Sequence, residues 1–146
     1  MRAPFRGVVV PLAAVPDPVF AAEMVGPGLA LRPDPGVHTV LAPIAGVVES
    51  LFPHACAISA PGGRTVVLHL GIDTVGLKGL GFTTAVEVGD VVEVGAVLLR
   101  WDTAPTLAAG LSTVSPLVAL QAEQGVALVA GPDDVVGPGD LVLTWG

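Results

Sequence analysis

Two histidines fifteen positions apart, His54 and His69, are the residues of this chain with the clearest capacity for chemistry. The second begins the run His69-Leu70-Gly71-Ile72-Asp73-Thr74. Two imidazoles that face one small group could bind a metal ion, because two histidine nitrogens make up half of a tetrahedral zinc shell. They could also transfer a phosphoryl group. A neutral imidazole is a nitrogen nucleophile near neutral pH, and a second imidazole can donate a hydrogen bond to phosphoryl oxygens as charge develops.

The residues between the two histidines predict a β-hairpin that places both side chains on one face. We take Pro61-Gly62 as a two-residue loop and pair Ala60 with Gly63, which brings His54 directly opposite His69. Directly opposed residues hold their Cβ atoms about 4.5–5.5 Å apart, so both rings would reach one group. A three-residue loop would shift the register by one and break this pairing.

Two other residues bear on the metal alternative. Cys56 lies two positions after His54, so on a strand it would share that face and could serve as a third ligand. A buried cysteine without a partner, however, usually packs as a small apolar side chain. His38 follows Pro35-Gly36-Val37, and we expect it on the solvated surface.

The composition indicates a folded chain with an acidic surface. Of the 146 residues 52% are hydrophobic and 13% charged, which excludes a disordered chain. Six basic against thirteen acidic residues provide no basic stripe for a phosphate backbone, so we expect no nucleic-acid partner. The single cysteine cannot form an internal disulfide, which favours a cytoplasmic protein.

We expect no membrane insertion. The apolar stretch that follows Arg6 is short and interrupted by Pro11, unlike a secretory signal. The uncharged run from Thr103 to Ala122 is long enough to span a bilayer but contains Pro105, Gly110 and Pro116.

The distribution of turn residues predicts an all-β fold in one domain over residues 1–146. Nineteen glycines and fourteen prolines are scattered along the chain, which is typical of short strands joined by tight turns. We interpret the fold as an antiparallel β-sandwich or barrel with a few short helical turns. The predicted strands are Val8–Val10, Gly46–Leu51, Ala55–Ser59, Arg64–Leu70, Ala96–Trp101 and Leu141–Trp145, and the helical segments are Phe20–Met24 and Pro105–Leu111.

An internal repeat supports two related halves within that fold. Asp90-Val91-Val92 and Gly95 to Trp101 match Asp134-Val135-Val136 and Gly139 to Trp145 at a constant offset of 44 residues. Two copies are too few for a solenoid, which needs at least three. Trp101 and Trp145 are therefore interpreted as equivalent core or rim residues rather than as a ligand cage.

Longer motifs resemble the glucose-type enzyme IIA family of the bacterial phosphoenolpyruvate-dependent sugar phosphotransferase system. The resemblance covers nearly the whole chain, and its most specific part is the run from His69 to Val75 followed by Leu77-Lys78-Gly79 and Gly81-Phe82. It also includes Val15-Pro16-Asp17-Pro18-Val19-Phe20-Ala21, Met24 to Leu31 and Ala42-Pro43-Ile44-Ala45-Gly46. The family implies a duplicated, hybrid-motif β fold.

The resemblance also implies roles for individual residues. His69 would carry the phosphoryl group and His54 would hydrogen-bond it, with no separate cofactor. HPr would be the donor, and a cysteine of a permease IIB domain would be the acceptor. The implied partner-binding residues are Asp17 and Asp73, together with an apolar collar of Val19, Phe20, Met24, Val25 and Val75.

One departure from the family pattern concerns the site. Relatives often have a threonine two residues before the first histidine, whereas Phe52 stands there in this chain. Ser59 or Thr74 could compensate for the lost hydroxyl. The departure keeps open a regulatory module of the same fold that holds zinc between His54 and His69 at a partner interface without turnover.

Two other functions fit the residues less well. A zinc peptidase of related fold needs a His-x-His element, but Gly71 stands where the further ligand belongs. A swinging-arm carrier needs an exposed lysine at a hairpin tip, but Lys78 lies outside both copies of the repeat.

Overall fold

The computed structural model describes residues 1–123 and 125–145, and its regular structure is dominated by short antiparallel strands. The all-β prediction is confirmed. The strands are β1 (Gly7–Val10), β2 (Gly28–Arg32), β3 (Val37–Leu41), β4 (Gly46–Phe52), β5 (Ala55–Ala60), β6 (Arg64–His69), β7 (Phe82–Thr84), β8 (Val91–Val92), β9 (Val97–Asp102), β10 (Ser115–Ala119), β11 (Ala127–Leu128), β12 (Val135–Val136) and β13 (Leu143–Thr144). The helices are α1 (Pro18–Ala21) and α2 (Ala104–Ala108), and Leu12–Ala14 and Thr74–Leu77 form 3-10 turns.

One large sheet carries the histidines. Its eight strands lie in the order β12-β1-β2-β10-β6-β5-β4-β8, and the remaining strands form a three-stranded sheet, β3-β9-β7, and a two-stranded one, β11-β13. In β5 and β6 buried residues alternate with half-buried ones, as expected for strands with one face toward the core. The neighbouring β10 is buried along its whole length.

Two hydrophobic clusters lie on opposite sides of β6. The main core contains Val66 and Leu68, together with Trp101, which is fully buried. A smaller cluster packs against Val67 on the other face, where His69 also points, since residues two apart share a face of a strand. The smaller cluster consists of Leu12, Val15, Phe20, Ala30, Ile72 and Val118.

The internal repeat corresponds to two equivalent turns at opposite edges of the large sheet. The carboxylate of Asp90 accepts a hydrogen bond from the backbone nitrogen of Glu87 at 2.9 Å, and that of Asp134 accepts one from Gly131 at 2.8 Å. β8 follows the first turn and pairs with β4, whereas β12 follows the second and pairs with β1. The predicted relation between two halves is confirmed.

The structure reveals a second repeat that belongs to the same duplication. Ala3-Pro4 and Gly7-Val8-Val9 match Ala42-Pro43 and Gly46-Val47-Val48 at an offset of 39 residues. The two copies face each other, because Leu41 N donates to Pro4 O at 2.8 Å and Arg2 N donates to Pro43 O at 2.9 Å. A pseudo-twofold axis therefore relates the two halves.

The environments of the two tryptophans differ. Trp101 belongs to the core, as predicted, and its ring stacks on Phe82 with centroids 5.6 Å apart. Trp145 is only half-buried, and the guanidinium of Arg64 lies 5.6 Å from the centre of its ring. The strand that precedes Trp145 is shorter than predicted and spans Leu143–Thr144.

The first helix was predicted over Phe20–Met24, but α1 begins two residues earlier and spans Pro18–Ala21. The carboxylate of Asp17 accepts a hydrogen bond from Val19 N at 2.9 Å, and Pro18 occupies the first helical position, which together begin α1. Glu23 has a positive φ of 56°, so the helix cannot continue to Met24. No helix in the described part of the chain is long and apolar enough to cross a membrane.

Candidate functional site

The register of the β5–β6 hairpin differs by one residue from the prediction. Ala60 pairs with Arg64, and Ala55 lies opposite His69 where His54 was expected. The loop contains three residues because both Gly62 and Gly63 adopt positive φ, at 83° and 75°, which a two-residue loop after Ala60 would not allow.

The two imidazoles nevertheless meet. His54 lies with Pro53 in the turn between β4 and β5, so the alternation of a strand does not determine its direction. Its carbonyl accepts a hydrogen bond from Leu70 N at 2.7 Å, which anchors the turn to the end of β6. The ring centroids of His54 and His69 are 5.2 Å apart, and the ring planes meet at 71°.

A backbone carbonyl determines which nitrogen of His69 is reactive. His69 Nδ1 lies 2.6 Å from the carbonyl oxygen of Gly71. A carbonyl oxygen can only accept, so Nδ1 carries the proton in the neutral ring. The lone pair of Nε2 is then free to attack an electrophile.

Gly71 can play this role because its backbone is left-handed, with φ of +73°. A Cβ atom at this position would lie 2.6 Å from Thr74 Cγ2 and 2.8 Å from the carbonyl oxygen of Ser112, so no side chain fits. Thr74 is buried, and its hydroxyl donates to the carbonyl of Leu70 at 2.7 Å. The turn after β6 is therefore held in one conformation.

The surroundings keep both imidazoles neutral. Burial lowers the pKa of His69, although the hydrogen bond to Gly71 and the charges of Asp17 and Asp73 partly oppose this effect. Burial also lowers the pKa of His54, and the neighbouring His69 lowers it further. Both shifts favour the neutral form of each ring at neutral pH, in which one nitrogen has a nucleophilic lone pair.

Both predicted aspartates act on the site through their charge. Asp17 caps α1, the helix that brings the ring of Phe20 to 5.4 Å from the ring of His69. Asp73 is exposed, with a left-handed φ of 62° at the start of the 3-10 turn after His69. The structure thus places one carboxylate on each of two segments beside His69.

Cys56 does not share the face of the histidines, contrary to the expectation. It lies opposite Leu68 on the core face of the hairpin, and burial raises the pKa of its thiol to about 12. The reason is that His54 lies in a turn. Residues two apart share a face only when both lie on the same strand, so the spacing between His54 and Cys56 does not place their side chains on one face. The described residues contain no cluster of three or more histidine, cysteine, aspartate or glutamate side chains suited to a metal, so a zinc ion between the two histidines would need ligands from another molecule.

His38 lies on β3, apart from the pair. Its Nε2 is 2.6 Å from the carbonyl oxygen of Asp34, and its ring is 5.7 Å from that of Phe5. It is half-buried rather than fully solvated.

The family model for the phosphoenolpyruvate-dependent sugar phosphotransferase system, EIIA 1, matches residues 1–125. The chain belongs to this EIIA family. It is therefore a component of a phosphotransfer system for sugar uptake, and the resemblance seen in its motifs is confirmed.

Individual relatives agree with this assignment. The glucose-specific EIIA component of Halalkalibacterium halodurans is 43% identical over 124 residues, which cover 84% of this chain and 70% of the relative. The glucose-specific EIICBA component of Staphylococcus saprophyticus is 40% identical over 135 residues, which cover 91% of this chain and 20% of that larger protein. The structure of the glucose permease IIA from Mycoplasma capricolum superposes on this chain with a TM-score of 0.83 at 31% sequence identity. The matched region covers 97% of this chain and 92% of the Mycoplasma chain.

The apolar collar of this EIIA domain divides into exposed and buried members. Val19, Met24 and Val75 expose 44%, 71% and 66% of their surface. Phe20 instead belongs to the smaller hydrophobic cluster, and Val25 is partly buried and packs against that cluster.

Sequence reasoning missed Phe52 as a surface residue of the EIIA site. Its side chain is 58% exposed, and its ring centroid lies 6.0 Å from that of His54. The sequence does contain an indication of this role, because Phe52 directly precedes the Pro53-His54 turn. It was considered only as the residue that replaces the threonine of relatives.

Neither residue suggested as a substitute for that threonine contacts His54. Thr74 bonds to the carbonyl of Leu70, as described above. Ser59 pairs with Thr65, at the opposite end of the hairpin from His69. The lost hydroxyl is therefore not replaced by either side chain.

Proposed function

We propose that this EIIA chain carries a phosphoryl group on Nε2 of His69, taken from the phosphohistidine of HPr and passed to a cysteine of a permease IIB domain in the cytoplasm. The observation that carries the proposal is the hydrogen bond from His69 Nδ1 to Gly71, which leaves Nε2 as the unprotonated nitrogen. The group that the site carries is the covalent phosphoryl itself.

The proposed transfer conserves atoms and electrons at each step. In the first step, the lone pair of Nε2 forms a bond to phosphorus, and the donor nitrogen of HPr leaves with the electron pair of the broken P–N bond. In the second step, a thiolate of the IIB domain attacks phosphorus and the electron pair returns to Nε2. The proton stays on Nδ1 and is donated to the Gly71 carbonyl oxygen in a hydrogen bond throughout, so His69 needs no external base.

His54 would stabilise the phosphoryl oxygens. Its ring centroid lies 5.2 Å from that of His69, so a group on Nε2 falls within reach of an imidazole N–H. Charge on the equatorial oxygens must be balanced during transfer, and a positioned donor supplies that balance without rearrangement. Phe20 and Phe52 flank the two rings and would limit the access of water that hydrolyses a phosphohistidine.

The partners would dock on a rim formed by Val19, Phe52 and Val75, which are all exposed. Asp17 and Asp73 lie beside this docking rim, and the chain as a whole has a formal net charge of −7. Exposed apolar side chains bordered by carboxylates suit a partner with an apolar patch and basic margins. One such surface would serve HPr and the IIB domain in turn.

We further propose that residues 1–146 work as one unit whose cognate permease transports glucose. Two observations on relatives support this proposal, namely the glucose-specific components named above and the EIICBA protein in which a matching segment forms one fifth of the length. Uptake of labelled glucose by cells that lack the chain would test the choice of sugar.

The proposal is tested by incubating the chain with phosphoenolpyruvate, enzyme I and HPr and measuring its intact mass. Wild type should gain one phosphoryl group, whereas His69→Ala should gain none. His38→Ala is the matched control, because His38 lies outside the pair and should leave the gain unchanged. A phosphoryl group on His69→Ala, or none on wild type with phosphorylated HPr verified, would overturn the proposal.

A further inference from the structure

The carbonyl of Gly71 owes its position to Ser112 and Ser115, which lie just before and at the start of β10. Gly71 N donates to Ser115 Oγ at 3.2 Å, and Ile72 N donates to the carbonyl of Ser112 at 3.0 Å. Ser115 begins β10, which pairs with β6 through Leu117 and its neighbours. The turn that orients His69 is thus attached to a segment more than forty residues later in the chain.

The peptide between Leu70 and Gly71 is held at both ends by buried hydroxyls. Its carbonyl accepts from Thr74 Oγ1, and its N–H donates to Ser115 Oγ. Thr74 and Ser115 are 1% and 0% exposed, so water cannot replace either partner. A buried N–H without an acceptor carries a substantial desolvation cost, which favours rearrangement of the turn if the hydroxyl is removed.

The direction of the Ser115 hydroxyl makes it specific for this task. Ser115 Oγ donates to the carbonyl of Thr113 at 2.9 Å, so its lone pairs remain to accept from Gly71. A side chain at this position must therefore accept and donate at once, which alanine cannot do and a thiol does only weakly.

We propose that Ser115 is a positioning residue for His69: its hydroxyl holds the Leu70–Gly71 peptide so that the next carbonyl keeps the proton on Nδ1 and leaves Nε2 free. The chain of contacts runs from Ser115 to Gly71 N, through the left-handed Gly71, and from Gly71 O to His69 Nδ1. Ser115 does not touch the phosphoryl group. Its effect on transfer rests on the proposed function, whereas its effect on the proton of His69 does not.

The decisive readout is therefore the tautomer of His69 in the unphosphorylated protein. In ¹⁵N-histidine-labelled wild type, the shifts of His69 should show a protonated Nδ1 and an unprotonated Nε2. Ser115→Ala should reduce the Nδ1–H form and lower the pKa of His69 further, because the hydrogen bond to Gly71 raises that pKa. Ser115→Thr retains the hydroxyl and should restore both values.

Phosphorylation rates supply the second readout. At metal sites, loss of the outer hydrogen-bond partner of a histidine costs about 10- to 100-fold in affinity or activity, and we expect Ser115→Ala to slow phosphate uptake within the same range. Thr103→Ala is the matched control, because Thr103 is as buried as Ser115 and its hydroxyl likewise both accepts and donates. It accepts from Gly36 N at 2.9 Å and donates to the carbonyl of Gly36 at 3.2 Å. That variant should lose stability but keep the wild-type tautomer and rate.

The outcomes separate the two proposals. Wild-type His69 shifts in Ser115→Ala, or an equal change in Thr103→Ala, would overturn the positioning role. If Ser115→Ala does not fold, Ser115→Cys decides the same question, since a weakly accepting thiol should shift the tautomer in the same direction. Absence of phosphate uptake in wild type would overturn only the proposed function, since the tautomer is measured without it.

Discussion

His69 and Gly71 are joined by a hydrogen bond across only two residues, from Nδ1 of the imidazole to the glycine carbonyl at 2.6 Å. This contact assigns different roles to the two nitrogens of one ring. It depends on the left-handed backbone of Gly71, which a residue with a Cβ atom adopts only at a cost.

Replacing Gly71 by alanine should therefore damage both the fold and the site. We expect Gly71→Ala to lower the free energy of unfolding by about 1–3 kcal/mol, the cost of a strained backbone residue, with the contact to Thr74 Cγ2 adding to it. Urea denaturation measures this change. Gly76→Ala is the control, since Gly76 has open space around its Cβ position and should change stability by less than about 0.5 kcal/mol. Equal stabilities of the two variants would refute the role assigned to Gly71.

The lowered pKa values of the histidines predict how stability depends on pH. Between pH 6.5, the ordinary value, and the lowered pKa values of His54 and His69, the unfolded chain binds more protons than the folded one. The free energy of unfolding should consequently fall as the pH drops below 6.5. Well above pH 6.5 both states leave the two histidines unprotonated, so the histidines should cause no pH dependence there. Denaturation at a series of pH values measures the slope.

A double variant isolates the part of that slope that the histidines cause. His54→Gln combined with His69→Asn removes both titrating groups and retains the carboxylates. Its slope below pH 6.5 should be smaller than that of wild type. Identical slopes would show that the two rings titrate alike in the folded and unfolded states.

His54→Gln alone should separate the two half-reactions. Glutamine keeps an amide donor for the phosphoryl oxygens but has no nitrogen that titrates near neutral pH. We expect the variant to accept phosphate from HPr and to pass it to the IIB domain about 100-fold more slowly, because an amide cannot take up a proton beside the phosphoryl oxygens and form the stronger, charge-assisted hydrogen bond that an imidazolium forms. Rapid-quench measurement of each half-reaction tests this, and wild-type rates in both would rule out the paired-imidazole mechanism.

Substitutions in the docking rim should weaken the binding of both partners without changing the free energy of unfolding. Phe52→Ser and Val75→Ser remove side chains that are 58% and 66% exposed, so the fold should tolerate both. Each should raise the Kd for HPr and for the IIB domain about tenfold, which corresponds to about 1.4 kcal/mol. Val135→Ser removes a valine of similar exposure from β12, at the edge of the large sheet, and serves as the control for calorimetric titration. A change for one partner alone would argue against a shared surface.

The strands β5 and β6, which have one buried face, were predictable, whereas β2 and β10, which are buried almost throughout, were not. The alternation in β5 and β6 is visible in the sequence and places Val66 and Leu68 inward. The central strands β2 and β10 have almost no exposed positions, so no alternation distinguishes them, and Pro116 within β10 argued against a strand.

The candidate site was identified by residue type but not by geometry. His54 meets His69 from a turn, and the pairing proposed for a two-residue loop was off by one because Gly62 and Gly63 both take positive φ. Backbone conformation at consecutive glycines is not encoded in a hydrophobic pattern, which is why the register could not be read from it. Ser115 escaped notice for another reason, since its contact with Gly71 links segments far apart in the chain.

The nitrogen that carries the phosphoryl group is the most direct test of the site. Chain labelled with ¹⁵N-histidine should be phosphorylated by HPr and studied by ¹⁵N and ³¹P NMR at a pH where phosphohistidine is stable. Because Gly71 holds the proton on Nδ1, phosphorus should couple to Nε2 of His69, with Nδ1 still protonated. Phosphorus on Nδ1 of His69, or on either nitrogen of His54, would contradict this mechanism.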